Sequence, residues 1–295
     1  MTIAEANRLI DSLAGKNNLT EEEEFEYIEA LDYMIKTTTE PRYMMQLGGY
    51  YYGQRTFDLA LKYYNMAAEL GYEEANECLG YVWYYGRTGE KDYEKAFKYF
   101  SAAAEKGNPV ARYKIADMYK NGYYVDKDYD KYKEIIRGLY PDVADAYYLG
   151  DPLPEVFTRL AAIEAEEGNT DKAIDLYLQA KDFLAQRIMH NPFFGNLNIM
   201  KWLIEDMYKL IEPDPIDMDL FDLYYWLVRP CRISFRADGK RHEVSCLEEE
   251  GEFVISFEGQ WYRNVDDFFK KATIDDTLIT DLFMELDDFV LEKGE

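Results

Sequence analysis

The sequence predicts a mainly α-helical repeat solenoid followed by a small antiparallel β-meander with one helix against it. Three observations carry the prediction. A block of small residues returns after 36 positions, a Gly-to-Asp loop spacing of six recurs with it, and beyond Pro230 the apolar period changes from that of a helix to that of a strand.

In the first observation Ala60, Ala67, Ala68, Gly71 and Ala75 are matched 36 residues later by Ala96, Ala103, Ala104, Gly107 and Ala111. Between these blocks stand Leu79, Gly80, Trp83, Gly86 and Asp92, and a third copy supplies Ile115, Ala116, Tyr119, Gly122, Val125 and Asp128. Each copy reads as two antiparallel helices, the first ending at Gly86 or Gly122 and the second starting after Asp92 or Asp128, which are natural N-caps. The alanines let helix backbones approach, and Gly71 and Gly107 suit the left-handed residue that ends a helix. One such pair cannot bury its apolar face alone, so the copies must stack.

This pattern resembles the Sel-one-like repeat, a tetratricopeptide relative built on Leu-Gly, an aromatic four residues after the Leu, a Gly-rich loop, Asp, Ala, paired Ala, Gly and Ala. The copy from Leu79 to Ala111 matches nearly throughout. The first matches at Leu47, Gly48, Tyr51 and from Ala60 to Ala75, with Gly53 one residue early and a shorter loop. The third has Tyr132 where Ala is expected and lacks the paired alanines, so its packing should be altered. The resemblance covers roughly residues 39 to 150, and Gly168 to Ile174 with Tyr177 and Ala180 extends it in a more tetratricopeptide-like form. It implies a concave scaffold for protein partners and no catalytic residue.

Three regions follow: an N-terminal helical cap at 1–38, the helical repeats at 39–211, and a helix with a small α+β domain at 212–295. In the cap, Thr20 and Glu23 form a capping box, and Phe25, Ile28, Leu31 and Ile35 are read as one apolar face. A second helix is expected near residues 2 to 14. After the repeats, 197–211 and 218–228 read as helices, broken at Pro213 and Pro215.

In the tail Ile233, Phe235 and Ala237 alternate with Arg232, Ser234 and Arg236, and Asp238-Gly239, Glu250-Gly251 and Glu258-Gly259 are two-residue hairpin loops. The first loop sets Phe235 opposite His242, Ile233 opposite Val244 and Cys231 opposite Cys246, and the second sets Cys246 opposite Ile255 and Val244 opposite Phe257. A one-residue slip would put Phe235 against Glu243, which the pattern disfavours. Four strands end near Trp261 and Tyr262. Asn264 then caps a short helix whose Val265, Phe268 and Phe269 cover the sheet.

Acidic residues number 58 against 33 basic ones, a net charge of -25, which argues against nucleic acid and for a basic protein partner. More than half of the excess lies after residue 211, with 22 acidic against 9 basic side chains. No secretory signal or membrane span is visible, and Cys78, Cys231 and Cys246 are too few for a disulfide framework, so a cytoplasmic location is expected. Cys231 and Cys246 are read as small apolar residues in packing. His190 and His242 lie at no metal-ligand spacing, His190 being read as a helix-end or turn residue and His242 as a partly buried strand residue. No cofactor and no metal are expected.

The 28 tyrosines exceed the needs of a core. Tyr51, Trp83 and Tyr119 occupy the repeat's aromatic position and are assigned to packing. Their neighbours Tyr50, Tyr52, Tyr84, Tyr85, Tyr123 and Tyr124 are the partner-binding candidates, because Tyr joins rigid area to a polar tip. The leading function is a non-enzymatic protein-binding scaffold or adaptor that uses the solenoid groove, the acidic tail, or both. An immunity-type inhibitor of a basic toxin or nuclease fits the same charge and aromatics. An enzyme with its site in the tail is a third class, and it requires a polar pocket beside His242 or the carboxylates.

Overall fold

The computed structural model describes residues 1–16, 19–144, 152–190, 194–211, 218–249, 251–282 and 285–293. The chain divides into two compact units, Met1–Leu149 and Gly150–Glu295. The helical pair after residue 152, grouped with the repeats by sequence, falls in the second unit.

The first unit is a run of helices, each packed on its successor: α1 (Ile3–Leu13), α2 (Glu21–Thr38), α3 (Pro41–Gly53), α4 (Phe57–Glu69), α5 (Ala75–Tyr85), α6 (Tyr93–Glu105), α7 (Pro109–Asn121) and α8 (Tyr129–Ala144). Local chemistry sets their ends. Thr2 and Thr20 make reciprocal capping boxes with Glu5 and Glu23, and Asp92 and Asp128 accept from the backbone N–H of Lys95 and Lys131. Gly86 and Gly122 end α5 and α7 in the left-handed region at φ 62° and 70°.

Two glycines decide how closely the helices of a repeat approach. A Cβ on Gly48 would stand 2.6 Å from the Tyr64 ring, and one on Gly80 would stand 2.5 Å from the Phe100 ring. The Leu-Gly motif is therefore a seat for an aromatic ring of the following helix. In the third repeat the 36-residue offset pairs Ala116 with Ile136, both fully buried, so the side chain grows where the ring is lost.

Two expectations are corrected here, and the altered packing expected of the third repeat is seen at Tyr132. Phe25 is 68% exposed, because the buried face of α2 is Tyr27, Ala30, Leu31, Met34 and Ile35, and Phe25 lies about 200° around the helix from Tyr27. Tyr51, Trp83 and Tyr119 are half-buried; they flank the core at the helix ends, while Tyr43, Tyr64, Phe100, Tyr113 and Tyr132 fill it. Tyr132, where alanine was expected, is fully buried, with Lys120 Nζ 5.0 Å from its ring centre.

The second unit opens with the hairpin α9 (Pro154–Glu166) and α10 (Thr170–His190), where Ala173, Tyr177 and Ala180 are buried as the repeat pattern implies. The α11 helix (Phe194–Met207) packs on it, and a 3-10 turn at Leu220–Asp222 leads into α12 (Leu223–Trp226). Pro213 and Pro215 lie outside the described residues, and α10 ends at His190.

The meander holds its derived register throughout: β1 (Cys231–Ala237), β2 (Lys240–Glu249), β3 (Glu252–Phe257) and β4 (Gln260–Tyr262) pair with Phe235 opposite His242, Cys246 opposite Ile255 and Val244 opposite Phe257. Asn264 caps α13 (Val265–Lys271), whose Phe268 meets Phe257 edge-on at 5.5 Å. A two-stranded ribbon follows, β5 (Thr273–Ile274) with β6 (Thr277–Leu278). A further strand, β7 (Asp287–Lys293), joins the other edge of the sheet against β1, with an irregularity between Ser234 and Arg236. Cys231 and Cys246 carry free thiols, each donating to a backbone carbonyl, of Trp226 and Leu227 respectively.

Candidate protein-binding surface

Two groups of aromatic residues form in the first unit, in which rings at the ends of α3 and α5 meet rings of the neighbouring helices. In one, the rings of Tyr27, Tyr50, Tyr51 and Tyr63 touch in succession at 5.8, 5.5 and 5.8 Å. Burial, then a hydrogen bond with the Glu24 carboxylate, push the Tyr50 hydroxyl up to about 12.

The second group is held by two cations. Tyr52 stands edge-on to Phe57 at 5.2 Å. Arg87, from the loop after α5, lies 5.6, 5.2 and 4.7 Å from the ring centres of Tyr52, Phe57 and Tyr85, and its Nε donates to Tyr52 Oη at 3.0 Å. One repeat thus grips the next. Lys114 of α7 is only 5% exposed, and its Nζ lies between 5.1 and 5.2 Å from the rings of Tyr81, Tyr84, Tyr85 and Tyr113. It donates to Tyr85 Oη at 2.9 Å and faces Asp117 Oδ2 at 3.9 Å, so ring faces and a carboxylate together compensate its lost hydration. The hydroxyls of Tyr81 and Tyr113 meet at 2.8 Å.

Past Tyr84 the group continues through Tyr123, which stacks face to face on Tyr93 at 4.2 Å. Tyr124 packs against Phe97 at 5.6 Å and holds a left-handed backbone, φ 67°, in the turn after Gly122. Of the six candidates, Tyr50, Tyr52, Tyr84 and Tyr123 are half-buried, whereas Tyr85 and Tyr124 are exposed at 37% and 56%. Sequence reasoning missed Arg87, Lys95 and Lys114, which organise the rings. Lys114 and Asp117, three residues apart, both stand on the buried face of α7, and that pair was the available signal.

Beside this strip an open groove of about 520 Å³ lies between the end of α5, its loop and the start of α6. Its floor is Trp83, with Lys95 Nζ 4.0 Å from the indole centre and 2.9 Å from Asp92 Oδ2.

In the second unit one polar feature is a largely buried network. Lys181 Nζ lies 2.8 Å from each oxygen of Asp222 and 2.9 Å from Asp219 Oδ2, and Tyr208 Oη donates to Asp222 at 2.6 Å. It joins α10, the end of α11 and the 3-10 turn. Elsewhere His242 Nδ1 meets Glu258 at 2.8 Å, with its ring stacked on Phe235. Among the described residues no group of three or more His, Cys, Asp or Glu is placed to hold a metal ion, and no described helix is long and apolar enough to cross a membrane.

The Sel1 repeat family matches this chain at residues 41–72, 78–108 and 109–131, over the helical pairs just described. The chain carries three Sel1 repeats. Its fold is similar to that of a Sel1 repeat protein from Oxalobacter formigenes, with 23% identity, 76% of this chain and 84% of that chain covered, and a TM-score of 0.50. It is also similar to a protective antigen of uropathogenic Escherichia coli strains displaying an SLR fold (20% identity, 63% and 37% covered, TM-score 0.41). A third similar structure is yeast Tom70 (16% identity, 70% and 48% covered, TM-score 0.36). The chain therefore spans well under half of the antigen and about half of Tom70. No curated protein matches it. Sel1 repeats commonly mediate protein–protein interaction on a generally non-enzymatic scaffold.

Proposed function

We propose that this Sel1 repeat chain is a non-enzymatic scaffold that binds a basic partner protein through the aromatic strip of its repeats. The observation that supports it is a set of exposed rings packed on partly buried ones: Tyr124, 56% exposed, packs against Phe97, and Tyr85, stacked on Tyr81, keeps 37% of its surface in solvent. A rigid aromatic braced in this way loses little entropy on docking, which is the character of a binding hot spot. The net charge of -25 favours a basic partner and speeds its encounter.

The test is affinity capture from native cells followed by binding kinetics. Raising salt from low to physiological strength is expected to slow association severalfold by screening. Tyr124→Ala is expected to raise the dissociation rate, with a cost of about 1 to 3 kcal/mol. An acidic partner whose association ignores salt, or dissociation unchanged by both Tyr85→Ala and Tyr124→Ala, overturns the reading.

A further inference from the structure

Trp83 is half-buried, yet it does not face an empty groove. Its indole carries the chain's own ammonium group, Lys95 Nζ, at 4.0 Å, and that group is anchored at 2.9 Å by Asp92 Oδ2. Both members of this ion pair are solvent-accessible, at 51% for Lys95 and 33% for Asp92. An exposed ion pair and an exposed cation–π contact are each weak, so the ammonium is held loosely. Asp92 is not free to leave with it, because its Oδ1 accepts the Lys95 backbone N–H as the N-cap of α6. Glu90, Lys91 and Tyr93 line the same groove. With Lys95 swung out, the walls carry Glu90 and Asp92 against Lys91 alone, beside an aromatic floor.

We infer that the Trp83 groove is a receptor for an arginine side chain of a basic partner, and that Lys95 is its built-in competitor. A guanidinium fits better than the ammonium it displaces. It is planar and stacks on indole, it is weakly hydrated, and its fork of N–H donors matches a carboxylate such as that of Asp92, where a lysine presents a compact, strongly hydrated point charge. This inference rests on the proposed binding of a basic partner and adds the residue type recognised and the place that recognises it.

The experiment titrates the full chain with a tetra-arginine peptide, with tetra-lysine and tetra-glutamate as comparisons, followed by calorimetry and by the fluorescence lost in a Trp83→Phe background. Lys95→Met keeps the aliphatic stem and removes the charge, and is expected to tighten tetra-arginine binding about 3- to 10-fold, with a smaller gain for tetra-lysine. Adding Trp83→Phe or Asp92→Asn is expected to abolish that gain; Asn caps a helix about as well as Asp, so the fold is kept. Unchanged or weaker binding in Lys95→Met, or a gain that survives Asp92→Asn, overturns the groove assignment. If wild-type chain still binds tetra-arginine in a salt-sensitive way, indifferent to Trp83, the groove assignment fails and the basic-partner reading stands. If no variant binds any basic peptide, both fail.

Discussion

Replacing Gly80 by Ala is a one-methyl change whose sign is set entirely by what the methyl meets. Gly80 is inside α5, so on helix propensity alone alanine stabilises by about 1 kcal/mol. Its Cβ, however, would lie 2.5, 2.6 and 2.9 Å from three atoms of the Phe100 ring, and Phe100 is fully buried with nowhere to retreat. Overpacking of this kind costs about 1 to 3 kcal/mol, and contacts this short belong at the upper end, so the net loss is about 2 kcal/mol. Gly49, in the middle of α3, is the control: no atom lies within 4 Å of its added Cβ, and Gly49→Ala should stabilise by about 0.5 to 1 kcal/mol. Urea titrations read by far-UV circular dichroism separate the two, since about 2 kcal/mol moves the midpoint by about 1 M for a slope near 2 kcal/mol/M. The third repeat supplies the rescue, as its Ala116 and Ile136 stand in the places of Gly80 and Phe100. The double variant Gly80→Ala with Phe100→Ile should therefore lose less than the two singles added together, with a coupling of about 1 kcal/mol or more. Additive losses, or a Gly80→Ala midpoint that rises like that of Gly49→Ala, would falsify the account of Leu-Gly as a seat for the ring.

Two further outcomes concern the buried network of the second unit. Asp222→Ala strands the 6%-exposed Lys181 with Asp219 alone and should cost about 3 to 5 kcal/mol, seen as a large fall in the denaturation midpoint. Burial, then the adjacent Asp222 charge, push Asp219 up to about 6, so the folded chain holds a proton there that the unfolded chain releases. That contribution to stability is complete below about pH 4 and is lost as pH rises through about 6. The stability difference between wild type and Asp219→Asn should accordingly shift against wild type between pH 5 and pH 7.5; a difference flat across that range rejects the assignment.

Most of the repeat architecture was legible because each landmark has one physical reason. Gly86 and Gly122 need a left-handed backbone, Asp92 and Asp128 satisfy N–H groups that a helix start leaves open, and the alanines sit where backbones meet. The meander was legible for the same reason: a two-residue turn at Asp238-Gly239 fixes every pair that follows, and only one register puts Ile233 and Phe235 on the buried face. β7 escaped notice because it pairs with β1 across more than fifty residues, with no turn to set its register and two aspartates at its start. Phe25 misled because a single apolar residue about half a turn out of phase still reads as part of a stripe.

The binding surface was only half legible, and the reason lies in how tyrosine is used. A count of 28 says that rings must reach the surface, and helix ends say where, but neither says which rings are spoken for by the chain itself. That is decided by cations distant in sequence. Arg87 reaches back 35 residues to Tyr52, and Lys114 reaches back 29 to Tyr85, each crossing from one repeat to the preceding one. Their effect is to divide the six candidate tyrosines. Tyr52 and Tyr84 are drawn into the contacts between repeats, so truncating either should loosen the array as well as any docked partner. Tyr124 touches only Phe97 among the ring contacts and stays exposed, so its truncation acts on the partner alone. Equal destabilisation of the free chain by Tyr84→Ala and Tyr124→Ala would show that this division is wrong and that ring exposure does not sort binding from packing in these repeats.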